Sequence, residues 1–543
     1  MISSFAKDSI PLSALYILEV SMTMVCHFSQ LTVEFHQSPL FPPLTGSLFS
    51  QKTALIGHNG RGKSVLMRLL AQQLVPSSGN VNWHMPFIHV DQLTRLPGNT
   101  IAQGLGVDEL HQVFARIEAG HGTLADFEQA EDQWHLPATW QSLLDSAQLP
   151  VSMETPIEQL SGGERTRLAL CRAFLHSEHY LLLDEPDNHL DSAGRQWLSE
   201  KLSQHKAGSL VISHNRNLLN KMDTIFELTE KGLQEYGGNY TLYDEQKTLI
   251  IKAIEAQGEH LDKQIRQEKK QQQATLQKAA QRRKQGEQIR NSGSQSLLLL
   301  DMQKNRAEKR QSNVAERHQR VLGNLHNQLQ ENQDKINHTK PQKMVLNYQR
   351  EGGKITVFVS QIMLPYGYNQ PLSFTAYSGE HWHIKGRNGC GKSTLLKVLA
   401  GELTAISGEH RISGEFCYLD QHLNLLNKSL PVAEALHQYQ PAIPLEQWRT
   451  QLGMLRIRGD KSLLPLNKLS GGEQLKATLL ALIHSPKPPA VLLLDEPDNH
   501  LDLDSKQLLE ELLQDYQGTL LLVSHDDTFV EQCNITHTLD LAD

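Results

Sequence analysis

Two eight-residue stretches decide the fold: GHNGRGKS at Gly57–Ser64 and GRNGCGKS at Gly386–Ser393. Each follows an apolar run, Thr53–Gly57 or His383–Gly386, and opens a helical pattern, Ser64–Leu74 or Ser393–Ala400. Glycines at this spacing let backbone N–H groups turn inward and cradle phosphate oxygens at a helix N-terminus, where the dipole favours an anion. Lys63 and Lys392 are placed to neutralise those oxygens, and the hydroxyls of Ser64 and Ser393 to hold Mg²⁺. The candidate nucleotide-binding residues are Gly57, His58, Asn59, Gly60, Arg61, Gly62, Lys63, Ser64 and Val65 in the first half. In the second they are Gly386, Arg387, Asn388, Gly389, Cys390, Gly391, Lys392, Ser393 and Thr394.

Working outward, the chain repeats itself. Asp91-Gln92 recurs as Asp420-Gln421 at the same offset as the phosphate loops, 329 residues. LSGGE begins at Leu160 and Leu469, an offset of 309; LLLDEPDNHLD begins at Leu181 and Leu492, and Ser213-His214 recurs as Ser524-His525, both at 311. Five ordered matches define two homologous halves. The fall in offset places about 20 extra residues in the first half, between 92 and 160. There Leu110, Val113, Phe114 and Ile117 follow a helical period, Gly120-His121-Gly122 breaks it, and Phe127 and Trp134 resume it. This insertion reads equally as a packed helical hairpin or as a partner contact.

Asp184 and Asp495 each end an apolar run, as expected of a carboxylate that faces a metal from the C-terminal end of a buried parallel strand. Glu185 and Glu496, the next residues, are candidates to polarise the attacking water. His214 and His525 follow apolar strands that deliver an imidazole to the same sheet edge.

Between the halves the composition changes. No proline occurs between Pro186 and Pro341, and Gln, Lys, Arg, Ala and Glu dominate after Thr248. Lys263–Arg320 holds fifteen basic and five acidic residues, +10, although the whole chain is at −8, so the remainder carries −18. Asn291-Ser292-Gly293-Ser294 marks a turn between two antiparallel helices of about 40 residues, roughly 60 Å each. A solvated spacer would alternate its charges, whereas Arg282, Arg283, Lys284, Arg290, Lys304, Arg306, Lys309 and Arg310 cluster one sign on both sides of the tip, as suits a phosphate backbone. Leu297–Leu300 beside the tip call for cover.

Together these motifs resemble the ATP-binding cassette (ABC) ATPases. The resemblance makes Gln92 and Gln421 the Q-loop residues that join Ser64, Asp184, Ser393 and Asp495 around Mg²⁺, LSGGE the signature motif, Asp191 and Asp502 the D-loop residues, and His214 and His525 the catalytic switch histidines. It implies an α/β fold of two P-loop ABC ATPase domains in tandem, joined by a long α-helical hairpin linker. The cassettes pair head to tail with ATP between them, so Ser161, Gly162 and Gly163 cap the nucleotide on Lys392, and Ser470, Gly471 and Gly472 the one on Lys63. By position, Phe35 and Tyr366 are candidates to stack on adenine.

Two cassettes in one chain, DEPDNHLD in each, GGNYTLYDEQK at Gly237–Lys247 and a basic linker narrow the resemblance to the ABC-F proteins. That family implies a cytoplasmic, monomeric ATPase that binds the ribosome at the tRNA exit site and contacts rRNA and tRNA. Its linker is directed at peptidyl-tRNA and the peptidyl-transferase region, and the excess in the first cassette is a short form of the family's arm. The expected organisation is an N-terminal extension at 1–24, a first cassette at 25–245 with the insertion within about 100–150, the linker at 246–341 and a second cassette at 342–543. The chain ends at Asp543, so the C-terminal extension of some members is not expected. A DNA-repair or chromatin ATPase and the ATPase subunit of a transporter remain as alternatives. Five scattered cysteines without a CxxC pair indicate neither a zinc site nor a disulfide framework. No apolar run is long enough to span a bilayer, and Ile10–Val25, interrupted by Glu19, is not expected to be a signal peptide.

Overall fold

The computed structural model describes residues 23–541 apart from 36–37, 92–95, 189, 292–296, 340–343, 347, 349–351, 422 and 500. The expected extension at 1–24 falls almost wholly outside the described residues. The chain divides into two compact units, one made of Met1–Tyr240 with Lys343–Asp543 and the other of Thr241–Gln342.

The first unit contains the two cassettes. In each, the strand before the phosphate loop is an interior strand of a mainly parallel sheet. The first sheet runs Gly232–Gly237, Thr224–Thr229, Lys52–Ile56, Ser209–Ile212, Tyr180–Asp184, Phe87–Val90, with only the first pair antiparallel. The second runs Phe416–Leu419, Val491–Asp495, Thr519–Val523, His381–Lys385, His537–Asp540 and is parallel throughout. Tyr180–Asp184 and Val491–Asp495 are buried at every position, which is why they read as unbroken apolar runs rather than alternating ones. A three-stranded antiparallel sheet accompanies each: Leu44–Phe49, Met24–Thr32, Ser78–Trp83 in the first, and Leu372–Tyr377, Ile355–Met363, Ser407–Ile412 in the second.

The helices after the phosphate loops are Lys63–Leu70 and Lys392–Leu399. The first ends short of the expected Leu74 because Gln72 turns left-handed at φ 55°. The insertion is helical. A bridge between Thr100 and Pro156 in the first cassette corresponds to one between Pro431 and Pro465 in the second. The longer first segment contains Asp108–Glu118 and Leu124–Ala130, joined through Gly120–Gly122. Val113 and Phe114 are buried, and Trp134 meets Phe114 edge-on at 5.6 Å.

The second unit is built from two helices, Tyr240–Asn291 and Leu297–Thr339. At 52 and 43 residues they exceed the expected 40; the first begins at Tyr240, inside the GGNYTLYDEQK phrase. They run antiparallel: His318 Nδ1 meets Glu268 Oε1 at 2.5 Å, and Asn332 Nδ2 donates to the Ile254 carbonyl at 2.8 Å.

Candidate nucleotide sites

In both phosphate loops a left-handed glycine sets up the helix N-terminus: Gly62 at φ 93° and Gly391 at φ 103°, neither helix carrying a side-chain cap. The amides at these ends are therefore free for a ligand. Lys63 and Lys392 are buried, and each folds back on its own loop. Lys63 Nζ donates to the carbonyls of Gly57 at 2.6 Å and His58 at 3.4 Å, and Lys392 Nζ to those of Gly386 and Arg387, both at 2.9 Å. Burial lowers the pKa of Lys63, offset by Asp502, Glu185 and Asp184.

The hydroxyl–carboxylate pairs expected to hold Mg²⁺ are assembled. Ser393 Oγ donates to Asp495 Oδ1 at 3.0 Å, and Ser64 hydrogen-bonds Asp184. Burial pushes Asp184 up to about 6, against that hydrogen bond, and its Oδ1 is buried without a hydrogen-bond partner. An orphaned carboxylate oxygen beside a hydroxyl and an uncapped helix N-terminus fits a hard divalent cation carried by a nucleotide. Bound there, Mg²⁺ would neutralise phosphate charge. Gln421 Nε2 donates to Glu496 Oε2 at 3.1 Å; Gln92 lies outside the described residues.

Glu185 and Glu496 stand at φ 51° and 49° immediately after their strands. Left-handed backbone costs a non-glycine residue about 1–2 kcal/mol, and the turn swings each carboxylate out of the strand's alternation. An asparagine three residues on holds each one: Asn188 Nδ2 donates to Glu185 Oε2 at 2.6 Å, and Asn499 Nδ2 to Glu496 Oε2. Burial raises the pKa of both glutamates. His525 Nε2 stands 3.6 Å from Glu496 Oε1, too far for a hydrogen bond, and is buried without a partner; neither ring nitrogen of His214 has a hydrogen-bond partner either. Burial, then Lys392 and Arg195, lower His525 to about 4, and burial with Lys63 lowers His214 well below the usual histidine range, so both rings are neutral at pH 7.

The signature motifs are helix starts. Ser161 caps Gly162–Phe174 and Ser470 caps Gly471–Ile483, each in a capping box with the motif's own glutamate, Glu164 or Glu473. S-x-x-E is a legible signal for this, and it explains the glutamate in LSGGE. A Cβ on Gly472 would meet Ser505 Oγ at 2.4 Å and Asp502 Oδ1 at 3.5 Å, so the second signature lies against its own D-loop. That D-loop reaches the first phosphate loop: the Asn59 N–H donates to Asp502 Oδ2 at 3.0 Å, and His58 Nδ1 stands 3.4 Å from Asp504 Oδ2. Burial works against the Asp502 carboxylate, but the Ser505 side chain, the Asn59 N–H and the nearby His58 and His214 hold it at about 2. Three residues unforeseen in the sequence also bridge the cassettes. Arg195 donates to the His525 carbonyl at 2.8 Å, and Arg216 grips both oxygens of Glu510 at 2.8 and 2.9 Å.

Of the adenine candidates, Tyr366 is 70% exposed, and its carbonyl lies 3.0 Å from where a Cβ on Gly391 would be, at the mouth of the second loop. Phe35 is in a short strand and its side chain lies outside the described residues. On the linker, Arg282, Lys284 and Arg306 are exposed. Arg283, Arg290, Lys304, Lys309, Arg310 and Leu297–Leu300 are helical, and their side chains lie outside the described residues.

The family described as ABC transporter matches this chain twice, at residues 49–188 and 369–499. The ATP-binding protein Uup of Haemophilus influenzae is 30% identical over 508 residues, covering 88% of this chain and 72% of that protein. Uup of Escherichia coli K12 is 29% identical over 513 residues, 89% and 74% of the two chains. Among solved structures, the archaeal ribosome recycling factor aABCE1, in complex with the stalk protein aP1, matches with a TM-score of 0.50 at 17% identity, over 93% of this chain and 86% of that one. A model of ribosome-bound archaeal Pelota and ABCE1 matches at 0.53 and 17%, over 92% and 74%. At that identity the likeness is one of fold. No helix among the described residues is long and apolar enough to cross a membrane.

Proposed function

Because this chain belongs to the ABC-F family of twin-cassette ATPases, we propose that it uses ATP binding and hydrolysis to engage and leave the ribosome, acting on translation from the tRNA exit site. The cassettes bind ATP with Mg²⁺ through Gly57–Val65 and Gly386–Thr394. Glu185 and Glu496 orient the attacking water, and Ser161–Gly163 and Ser470–Gly472 close the opposite sites. The basic hairpin contacts rRNA and peptidyl-tRNA through the clusters around Arg282 and Arg306.

The observation that carries this reading is the charge split. A motor with −18 on its body carries +10 over Lys263–Arg320, with Arg282, Lys284 and Arg306 exposed on its helices. Such a probe suits a phosphate backbone through counterion release. The ribosome named for two solved structures of like fold points the same way.

The test pairs Glu185→Gln with Glu496→Gln, which slows hydrolysis while leaving closure on ATP intact. Ribosomes pelleted from cells making this variant should carry it down in ATP, and growth should arrest; a variant that stays in the supernatant with ATP overturns the reading. Replacing Arg282, Lys284 and Arg306 with Glu should weaken that co-sedimentation about tenfold or more. The slope of log affinity against log salt should flatten by roughly one for each phosphate that the variant no longer touches. ATPase activity without ribosomes should stay within about twofold.

A further inference from the structure

The helices that follow the two D-loops share an odd feature. Ser192–Gln204 is capped by Asp191 and Leu503–Asp515 by Asp502, and each carries a cation in its first turn, Arg195 or Lys506. The positive end of a helix dipole disfavours a cation there, so each needs a specific partner. Lys506 finds its partners in its own cassette: Nζ is 2.9 Å from Asp526 Oδ2 and 3.8 Å from Asp498 Oδ2, all three side chains buried. Arg195 crosses to the other one. Its Nη1 donates to the carbonyl of His525 at 2.8 Å, while Nε donates to the carbonyl of Asp187 at 3.4 Å.

Both cations therefore converge on one segment, Ser524–Asp526, the switch of the second cassette. Lys506 holds Asp526, whose carboxylate in turn receives the Phe529 N–H and caps the next helix. Arg195 holds His525, whose imidazole faces Glu496 at 3.6 Å. The switch of the first cassette is anchored otherwise: Asn215 caps the helix Arg216–Leu219, and Arg216 reaches out to Glu510.

We propose that Arg195 of the first cassette is a positioning residue for hydrolysis at the second nucleotide site, fixing the backbone of His525 from across the interface so that its imidazole is aimed at Glu496. The hydrogen bond to the histidine backbone is one-sided: Lys506, which matches Arg195, is bound to Asp526 and acts on Glu185 and His214 of the first cassette only through space. Hydrolysis at the second site is thus conditional on the first cassette's D-loop helix being docked, whereas the first site lacks that particular requirement.

The test uses the full chain and silences one site at a time. With Glu185→Gln in place, so that only the second site turns over, Arg195→Ala should lower kcat about tenfold, as expected for loss of a charged hydrogen bond, with KM for ATP changed less than about twofold. With Glu496→Gln in place, the same substitution should leave the rate within about twofold. Arg195→Lys should recover most of the loss and Arg195→Gln little of it. In nucleotide-free protein, hydrogen exchange should quicken at 524–526 in Arg195→Ala and stay unchanged at 213–215. Equal slowing in both backgrounds would make Arg195 a general strut of the interface and overturn the proposal, as would unchanged rates in both or exchange that quickens equally at the two switches. Arg195→Gln, which keeps much of the stem, keeps the test decisive if the alanine variant folds poorly.

Discussion

The two nucleotide sites repeat the same motifs, yet they are not held alike. A serine–aspartate and an asparagine–glutamate contact occur at both. At the second, Tyr418 also reaches the other oxygen of Asp495 at 3.4 Å and Arg195 of the opposite cassette holds the His525 carbonyl. At the first, Asp184 keeps an oxygen without a hydrogen-bond partner and no nitrogen of His214 has one, as Nε2 of His525 has none, while the phosphate loop itself is tied across the interface by Asp502. The second site thus has its strand-end carboxylate and its histidine backbone held before ATP arrives; the first has its loop docked instead. Preorganised groups cost no reorganisation at the moment of reaction, so the second site is expected to hydrolyse faster.

The strongest way to break this comparison is to remove the two glutamates one at a time. Removing both of the proposed general bases should cost about 10²–10⁴-fold in kcat. If the sites differ as described, Glu496→Gln alone should remove most of the turnover and Glu185→Gln less than half. Steady-state ATPase of the two single variants, at saturating ATP and Mg²⁺, decides it; the reverse ranking would mean that the docked phosphate loop matters more than the arranged carboxylate.

The Arg216–Glu510 pair comes next. It joins the first switch to the helix Leu503–Asp515 through a bidentate contact, with side chains 18% and 7% exposed. Removing the carboxylate leaves the partly buried Arg216 with Tyr240 as its remaining partner, which costs up to about 3 kcal/mol. Glu510→Ala should therefore lower stability by that order in urea unfolding and slow the first site more than the second. The double variant Arg216→Ala with Glu510→Ala should recover part of that stability.

A titration gives an effect of similar or smaller size. His525 is held at about 4 by burial, Lys392 and Arg195, against about 6.5 for an unfolded histidine. Between those values the unfolded chain takes up a proton that the folded one refuses, so stability falls as pH drops from 6.5 towards 4. The full effect is roughly 3 kcal/mol, since each tenfold difference in proton affinity is worth about 1.4 kcal/mol. His525→Gln removes that group, so the difference in unfolding free energy between variant and wild type should move in the variant's favour over this window and stay constant above about pH 7.5.

The motifs make the cassettes legible because they put unusual residues, paired glycines and a DE after an apolar run, where backbone chemistry demands them. Offsets between the halves locate the insertion, and charge locates the hairpin. What the sequence does not disclose depends on packing between segments hundreds of residues apart. Arg195 and Arg216 look like ordinary surface cations until the other cassette is beside them, and nothing local separates Glu510 from its helical neighbours. The left-handed backbone of Glu185 and Glu496 has no composition signal either, since neither residue favours it. Helix lengths depart from expectation where a turn residue is unmarked: Gln72 ends one helix early, and nothing between Tyr240 and Thr248 warns that the linker helix has begun.

The smallest expected difference concerns one ring on the strand next to Asp184 and to Asp495. His89 pairs with Leu182 in the first sheet as Tyr418 pairs with Leu493 in the second, so the two side chains hold equivalent positions. Tyr418 donates its hydroxyl to Asp495 Oδ2; both nitrogens of His89 are buried without a partner, and Asp184 keeps an orphaned oxygen. A hydrogen bond to a carboxylate, weakened by this length, contributes about 0.5–1 kcal/mol, which is two- to fivefold in an equilibrium. Tyr418→Phe in the Glu185→Gln background should then shift the Mg²⁺ concentration for half-maximal ATPase by two- to fivefold at the second site. Its direction separates two roles for the phenol. If the hydroxyl mainly orients Asp495 towards the cation, more Mg²⁺ is needed without it; if it competes with the cation for the carboxylate, less is needed. The geometry at 3.4 Å, long for an O–H donor, leaves the carboxylate with most of its charge for the metal, so the first outcome is expected. His89→Tyr, measured in the Glu496→Gln background, should move the first site the opposite way by supplying the donor that it lacks.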